Sequence, residues 1–382
     1  MNSIFTDKSI FKNTSTKELQ FSKKIFELLS NKKLYERSIK LLKFFLNSKI
    51  PLPTYFIKKS VFKQFCGGEN LNECQKSIQK LQRQGVQTFL DYSVEASQTE
   101  YERDNVLNEI INAIEFASEN TATPTVVFKM TGLVALEALE YQGLYDELLE
   151  SGRERINKIA LLAKEKNVTL MVDAEESWYQ ESIDKLVIDL MLKVNHEKAV
   201  IFNTYQLYRK DALDRIIKHH IDLESEKVKF GVKLVRGAYL EKENNRALEK
   251  ETESILNVSK EDTDKLFNGA LEYCIGNLET MAICNASHNE WSNEYLALLM
   301  KSNRIEKSDK RVYFTQLYGM SNHISLKLAQ EGYNSSKYLP YGKLKKVIPY
   351  LIRRSEENQA IEGQIGRELS LINEILDERM AS

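Results

Sequence analysis

A chain of 382 residues, 42% apolar and 29% charged, can bury a large core, which sets aside the disordered and fibrous classes. Its formal net charge of -1 offers no general attraction for nucleic acid or anionic lipid. Four scattered cysteines without a CxxC pair argue against a disulfide framework or a zinc site, and point to a reducing, cytoplasmic setting.

Residues 1–80 read as a helical arm, with basic and apolar residues mixed in KELQFSKKIFELL (17–29) and YERSIKLLKFFL (35–46) and no convincing strand. The first 35 residues lack Arg and an apolar signal core, and no run of roughly 18 apolar residues follows, so neither an export signal nor a membrane span is expected. Pro51 and Pro53 divide the arm, and Gly67 and Gly68 supply a turn.

From about residue 85 the pattern changes. Eight short β-branched runs appear: VQTFLDYS, TVVFKM, VTLMVDAE, AVIFNTYQ, FGVKLVRG, ETMAICNAS, RVYFTQL and KYLPYG. Between them lie amphipathic stretches such as VLNEIINAIEFA and IDKLVIDLMLKV, with apolar residues three and four apart. Residues 133–150 read as an extra helix after the second strand. Eight βα units in residues 81–382 predict a closed (β/α)8 barrel of TIM type behind the N-terminal arm. An open doubly wound sheet fits less well, because none of the 15 glycines forms GxGxxG or GxxxxGK.

In a filled barrel, functional groups stand where the strands end. Those ends carry Asp91 with Glu95, Lys129, Asp173 with Glu175, Gln206, Arg236 with Tyr239, His288 with Asn289, Gln316, and Tyr338 with Tyr341. Any one of these could be a helix cap or a loop side chain, but eight in sequence are harder to dismiss. A lysine ending VVFK needs a carboxylate partner if the mouth is dry, and Asp173 on the next strand is the candidate. His288 is the one histidine placed at the open face; a solvated loop histidine is the alternative.

The last barrel helix holds Tyr350, Arg353, Arg354 and Glu357 at positions i, i+3, i+4 and i+7, on one face. Adjacent guanidinium groups suit bidentate capture of a carboxylate or phosphate. On spacing alone, a surface Arg–Glu ladder is the stronger reading.

Together the strings LDYSVE, FKMTGL, VDAEE, NTYQLY, KLVRGAYLEKE, ASHNE, YFTQLYGM, YLPYG and YLIRRSEEN, in this order, resemble the proline dehydrogenase family from residue 90 to 358. The resemblance implies an FAD-dependent barrel enzyme that oxidises L-proline to 1-pyrroline-5-carboxylate. It implies that Arg353 and Arg354 hold the proline carboxylate while Glu357 orients them. Lys129 and Asp173 would form an ion pair under the ring, walled by Tyr239, Leu317, Tyr338 and Tyr350. Gln206, Lys233, Val235, Ala238, Thr263, Ser287, His288, Asn289 and Glu290 match positions at or beside the family's flavin contacts. Leu240 stands where bifunctional bacterial members carry an aromatic residue. Tyr338 points to proline, since the corresponding residue tends to be smaller in the branch that prefers hydroxyproline.

The resemblance further implies a quinone-type electron acceptor, reached by peripheral contact with the inner membrane. It also implies a separate pyrroline-5-carboxylate dehydrogenase, since no second catalytic domain follows the barrel. Two other readings stand beside it: a Schiff-base barrel enzyme with Lys129 as nucleophile, and a helical interaction protein with an inactive barrel.

Overall fold

All eight β-branched runs form strands. The computed structural model of the chain describes residues 5–381 apart from 6, 13, 32, 34–36, 39, 41–53, 94–95, 142–145 and 361–363. Its strands are β1 (Gln87–Tyr92), β2 (Thr125–Lys129), β3 (Thr169–Asp173), β4 (Ile201–Gln206), β5 (Phe230–Val235), β6 (Met281–Ala286), β7 (Val312–Leu317) and β8 (Ser335–Tyr341). Neighbours in chain order pair in parallel, and β8 returns to β1, from Ser336 opposite Gln87 to Tyr341 opposite Tyr92. The expected (β/α)8 barrel is closed.

Side-chain alternation then sorts each strand into two faces. Phe89, Val127, Met171, Phe202 and Cys284 point inward and fill the barrel. Residues one step away, such as Val126, Leu170 and Phe230, pack beneath the helices.

Apart from short helical turns at Lys8–Phe11, Thr54–Ile57, Lys58–Phe62, Lys63–Phe65 and Met130–Gly132, the helices of the described residues are α1 (Thr16–Ser30), α2 (Leu71–Arg83), α3 (Glu100–Ser118), α4 (Leu136–Glu140), α5 (Asp146–Lys166), α6 (Ser177–Val194), α7 (Ala212–Ser225), α8 (Leu240–Glu249), α9 (Lys260–Gly276), α10 (Glu290–Ser302), α11 (Asn322–Gln330), α12 (Leu344–Ala360) and α13 (Gln364–Ala381). Helix α1 starts at a capping box, in which Glu18 N–H donates to Ser15 Oγ (3.3 Å) and Ser15 N–H donates to Glu18 Oε2 (3.1 Å). The segment 133–150 is not one helix. Helix α4 stops at Tyr141, whose φ of -113° and ψ of 75° leave the helical region, and Asp146–Glu150 belong to the long α5. Apolar periodicity continues across the break, so the pattern did not reveal it. Most of the expected helix over 35–46 lies outside the described residues.

Two departures from a plain ring of helices position the site. Helix α2 packs Cys74 and Ile78 on the outer face of β1 and β8, against Leu90, Leu339 and Tyr341. Helix α12 brings Tyr350 to the barrel mouth. Leu344, Val347, Ile348 and Leu351, spaced as one helical face, join Phe26 of α1, Phe62, Phe65 and Ile372 and Ile375 of α13 in a second core.

The arm meets the barrel closely at Gly319, after β7. Gln64 Nε2 donates to Gly319 O (2.8 Å), and Gly319 has φ of +80° with its missing Cβ aimed at the Gln64 carbonyl oxygen. Gly332 has a similar φ of +87° but open space around it. Gly332→Ala should therefore cost about 1–2 kcal/mol, the left-handed penalty alone. Gly319→Ala should cost clearly more, because the backbone of Gln64 must also move; urea denaturation of the two variants measures the difference.

Candidate active site at the barrel mouth

The strand C-termini surround a cavity of about 150 Å³. Its floor is a cluster of charges. Asp173, the last residue of β3, accepts from Tyr338 Oη of β8 (2.6 Å) and pairs with Lys233 Nζ of β5. Lys129, the last residue of β2, donates instead to Tyr239 Oη (2.7 Å).

The expected ion pair between Lys129 and Asp173 is thus replaced by one between Lys233 and Asp173. The cause lies in the stagger of tilted strands. Lys129 and Asp173 are in register on neighbouring strands and both end them, so the long lysine stem leaves the sheet above the carboxylate. Lys233 stands two residues short of the end of β5, opposite the buried Cys284, and its ammonium rises to Asp173 from below. Lys129 still acts on Asp173 through its field. Burial works against ionisation of Asp173, but Lys233 and then Lys129 hold its carboxyl below the ordinary range. Burial, with Asp173 next, pushes the Tyr338 phenol far upward, which keeps it a proton donor.

A second carboxylate shares this floor. Asp91 of β1 is 2% exposed and bonded by Ser93 Oγ. Burial first and the negative charge of Asp173 second raise its pKa to about 7, against the pull of Ser93, Lys129 and Tyr338. Asp91 stood among the polar strand ends, but the family resemblance assigned it no role. Its signal was inward phase on β1, shared with Phe89.

The wall from β4 to β6 is smoother. Val235, Gly237, Ala238 and Ala286 present small surfaces to the cavity, edged by Lys233, Gln206, Arg236, Ser287 and His288. Gln206 is locked across two loops: its Nε2 donates to Glu175 O (2.9 Å), and its Oε1 accepts from Ala238 N–H (3.1 Å). Arg236 donates to Asp264 (2.8 Å), Ser287 (2.7 Å) and Ser292 (3.0 Å) and lies 4.5 Å over the Phe267 ring. His288 is at the cavity rather than loose in a loop. Its Nε2 accepts from Leu317 N–H (3.4 Å), and its Nδ1 lies 2.9 Å from Ser321 Oγ. Ser321, at φ +47°, is held there by Glu368 of α13 through a 2.6 Å bond from its N–H.

Lys129, Asp173, Tyr239, Tyr338, Tyr350, Leu317, Gln206, Lys233, Val235, Ala238, Ser287 and His288 therefore converge on one cavity. Thr263, Asn289 and Glu290 stand outside its wall. Thr263 accepts from Asn257 Nδ2 (3.2 Å), Asn289 caps α10 by accepting from Ser292 N–H (3.0 Å), and Glu290 engages His323 (3.0 Å) and Arg367 (3.5 Å). The side chains of Arg353, Arg354 and Glu357 lie outside the described residues, although α12 runs through all three positions. Gln316 and Arg236, both read as polar strand ends, line the cavity without having been given a role; Thr204 and Thr315 passed unnoticed because strand threonines carry no separate signal.

The raised pKa of Asp91 has a consequence for stability. An unfolded aspartate titrates near pH ~4, whereas the folded protein retains the Asp91 proton up to about pH 7. Between those values only the folded state binds the proton, so its contribution falls by roughly 1.4 kcal/mol per pH unit as pH rises. Asp91→Asn should remove this slope: denaturation at pH 5 and pH 8 should show the variant gaining on the native sequence as pH increases.

Comparison with known proteins agrees with this geometry. A family model described as proline dehydrogenase matches residues 74–367. Mitochondrial proline dehydrogenase 1 of Dictyostelium discoideum is 31% identical over 406 residues, covering 93% of this chain and 71% of the relative. The carbapenem antibiotics biosynthesis protein CarD of Pectobacterium carotovorum subsp. carotovorum is 35% identical over 328 residues, covering 83% and 84%. Proline utilization A of Bdellovibrio bacteriovorus, solved after inactivation by N-propargylglycine, superposes with a TM-score of 0.78 at 21% identity, over 89% of this chain and 38% of that one. At that identity the superposition speaks for the barrel, and the family match and relatives speak for descent. The chain belongs to the proline dehydrogenase family.

Proposed function

We propose that the chain oxidises L-proline to 1-pyrroline-5-carboxylate with FAD bound across the barrel mouth, and passes the electrons to a quinone-type acceptor. The observation that carries this reading is the floor cluster of Asp173, Lys233 and Tyr338 beside Lys129 and Tyr239, cations and phenols fixed around a small cavity. Tyr239, Leu317, Tyr338 and Tyr350 supply apolar walls for a five-membered ring, and a few polar anchors orient it.

The wall of Val235, Gly237, Ala238 and Ala286 fits a flat heteroaromatic ring, with Lys233, Gln206, Ser287 and His288 at its edges. Those residues would hold a flavin, which would supply the two-electron acceptor needed to turn the substrate's CH–NH unit into C=N. The chain's own residues do the rest. Lys233 puts a positive charge beside that wall. Arg353 and Arg354, with Glu357, would grip the substrate carboxylate and hold the ring in one pose. Loss of hydride from carbon requires the amine lone pair, so the reactive substrate is the neutral amine. Among the described residues no helix is long and apolar enough to cross a membrane.

Anaerobic titration of the purified, flavin-loaded protein with L-proline should bleach the flavin bands stoichiometrically; an unchanged spectrum would reject the reading. Arg353→Ala and Arg354→Ala should each weaken proline binding by about 2–5 kcal/mol while flavin content is kept. Substrate choice follows from Tyr338, which is 7% exposed and has its hydroxyl committed to Asp173. A 4-hydroxyl on the substrate finds neither room nor a free partner there, so kcat/KM for trans-4-hydroxy-L-proline should be roughly tenfold or more below that for L-proline.

A further inference from the structure

Because α12 carries Tyr350 to the mouth, the flank of the barrel between α11 and α2 is covered by α1 and α13. The cover is incomplete. A cavity of about 410 Å³ remains there, within the roughly 300–1,000 Å³ usual for small-molecule sites. Leu19, Phe21, Leu326 and Ile372 give it an apolar wall.

Its charged lining is one-sided: Lys17, Lys63, Lys80 and Lys337 against Glu18 alone. Glu18 is already committed, with Oε1 on Lys80 (2.8 Å) and Oε2 on Ser15 N–H (3.1 Å). Lys63 lies 5.0 Å over the Phe21 ring.

Lys337, on the outward face of β8, is 2% exposed. An ammonium has three protons to give. Lys337 gives two, to the carbonyl oxygens of Met320 and Leu317 (3.4 Å), and forms no ion pair with any described carboxylate. Glu368 is near enough to act on it, but its two oxygens serve Ser321 N–H (2.6 Å) and Asn322 N–H (3.1 Å). A buried cation without a counter-anion is costly, and an incoming anion offsets that cost.

We propose that this cavity is a second binding site, for a small aliphatic carboxylate whose head group meets Lys337 and whose chain lies against Leu19, Phe21, Leu326 and Ile372. The rim lysines draw the anion in, and the apolar wall selects one with a hydrocarbon body. The site stands apart from proline chemistry, yet it shares a loop with the mouth: the residues that Lys337 holds, Leu317–Met320, carry Leu317 into the active-site wall.

Burial pushes the Lys337 amine down to about 7, opposed by Glu368. The other charged groups facing the cavity are Lys17, Glu18, Lys63 and Lys80. Ammonium at Lys337 is therefore present below pH 7 and lost above it, and affinity for a carboxylate should fall as pH rises.

Isothermal titration of the full-length protein with sodium octanoate tests the site. Saturable binding to one site is expected, at least tenfold weaker in Lys337→Met, and in Leu326→Trp, which narrows the cavity from its apolar wall. Octan-1-ol, with the same chain and no carboxylate, should bind at least tenfold more weakly, and octanoate should bind more weakly at pH 8 than at pH 6. Absence of saturable heat, equal affinity for the alcohol, or a pH-independent affinity would each overturn the proposal. The last two comparisons use the native chain with the mouth saturated by L-proline under anaerobic conditions, so they read this cavity even if a variant fails to fold. Flavin bleaching by L-proline is read separately, so failure of one proposal does not imply failure of the other.

Discussion

The pairing of β8 with β1 is the constraint on which everything else rests. Six register pairs, from Gln87 with Ser336 to Tyr92 with Tyr341, close the sheet and leave it no edge. A closed eight-stranded barrel has an interior only wide enough for side chains, and Phe89, Val127, Met171 and Phe202 take it up. Charged groups of the interior are thereby forced to the upper end, where Asp91, Lys129, Asp173 and Lys233 meet. Concentrated charge at one end is a product of closure before it is a product of chemistry.

Closure also dictates which charges can pair. Adjacent strands step along the barrel axis, so register neighbours such as Lys129 and Asp173 are offset in height, and a lysine rooted lower down reaches the carboxylate instead. The same displacement logic acts outside the sheet. Once α12 is used at the mouth, the flank must be covered by other segments, and α1 and α13 supply that cover through Phe26, Ile372 and Ile375. The arm is in this sense part of the barrel's outer layer, joined to it where Gln64 meets Gly319.

Much of this was legible in the chain. The eight strands could be found because β-branched runs alternate with helical periodicity, and the polar strand ends because a filled barrel exposes little else. Asp173, Tyr239, Tyr338 and His288 were found that way, and all line one cavity. What could not be read depends on three dimensions. The partner of Asp173 follows from stagger, which one-dimensional register hides. The break at Tyr141 follows from two backbone angles inside an unbroken apolar pattern. Lys337 gave a signal that went unused: one step from inward-facing Tyr338, strand alternation turns it outward, among residues that helices bury.

The four charges at the mouth also explain why one carboxyl there keeps its proton. With both aspartates ionised, Asp91 and Asp173 balance Lys129 and Lys233, but Asp173 has taken the closest cation and Tyr338 besides. Asp91 is left with a hydroxyl from Ser93, the more distant field of Lys129 and a lesser pull from Tyr338, together too little to offset its burial and the repulsion from Asp173. It therefore titrates near neutrality, and in its protonated form these four side chains carry a net positive charge. An anion entering the mouth favours that protonated form, and ionisation of Asp91 disfavours the anion, so the proton on Asp91 and an anion in the cavity are thermodynamically linked.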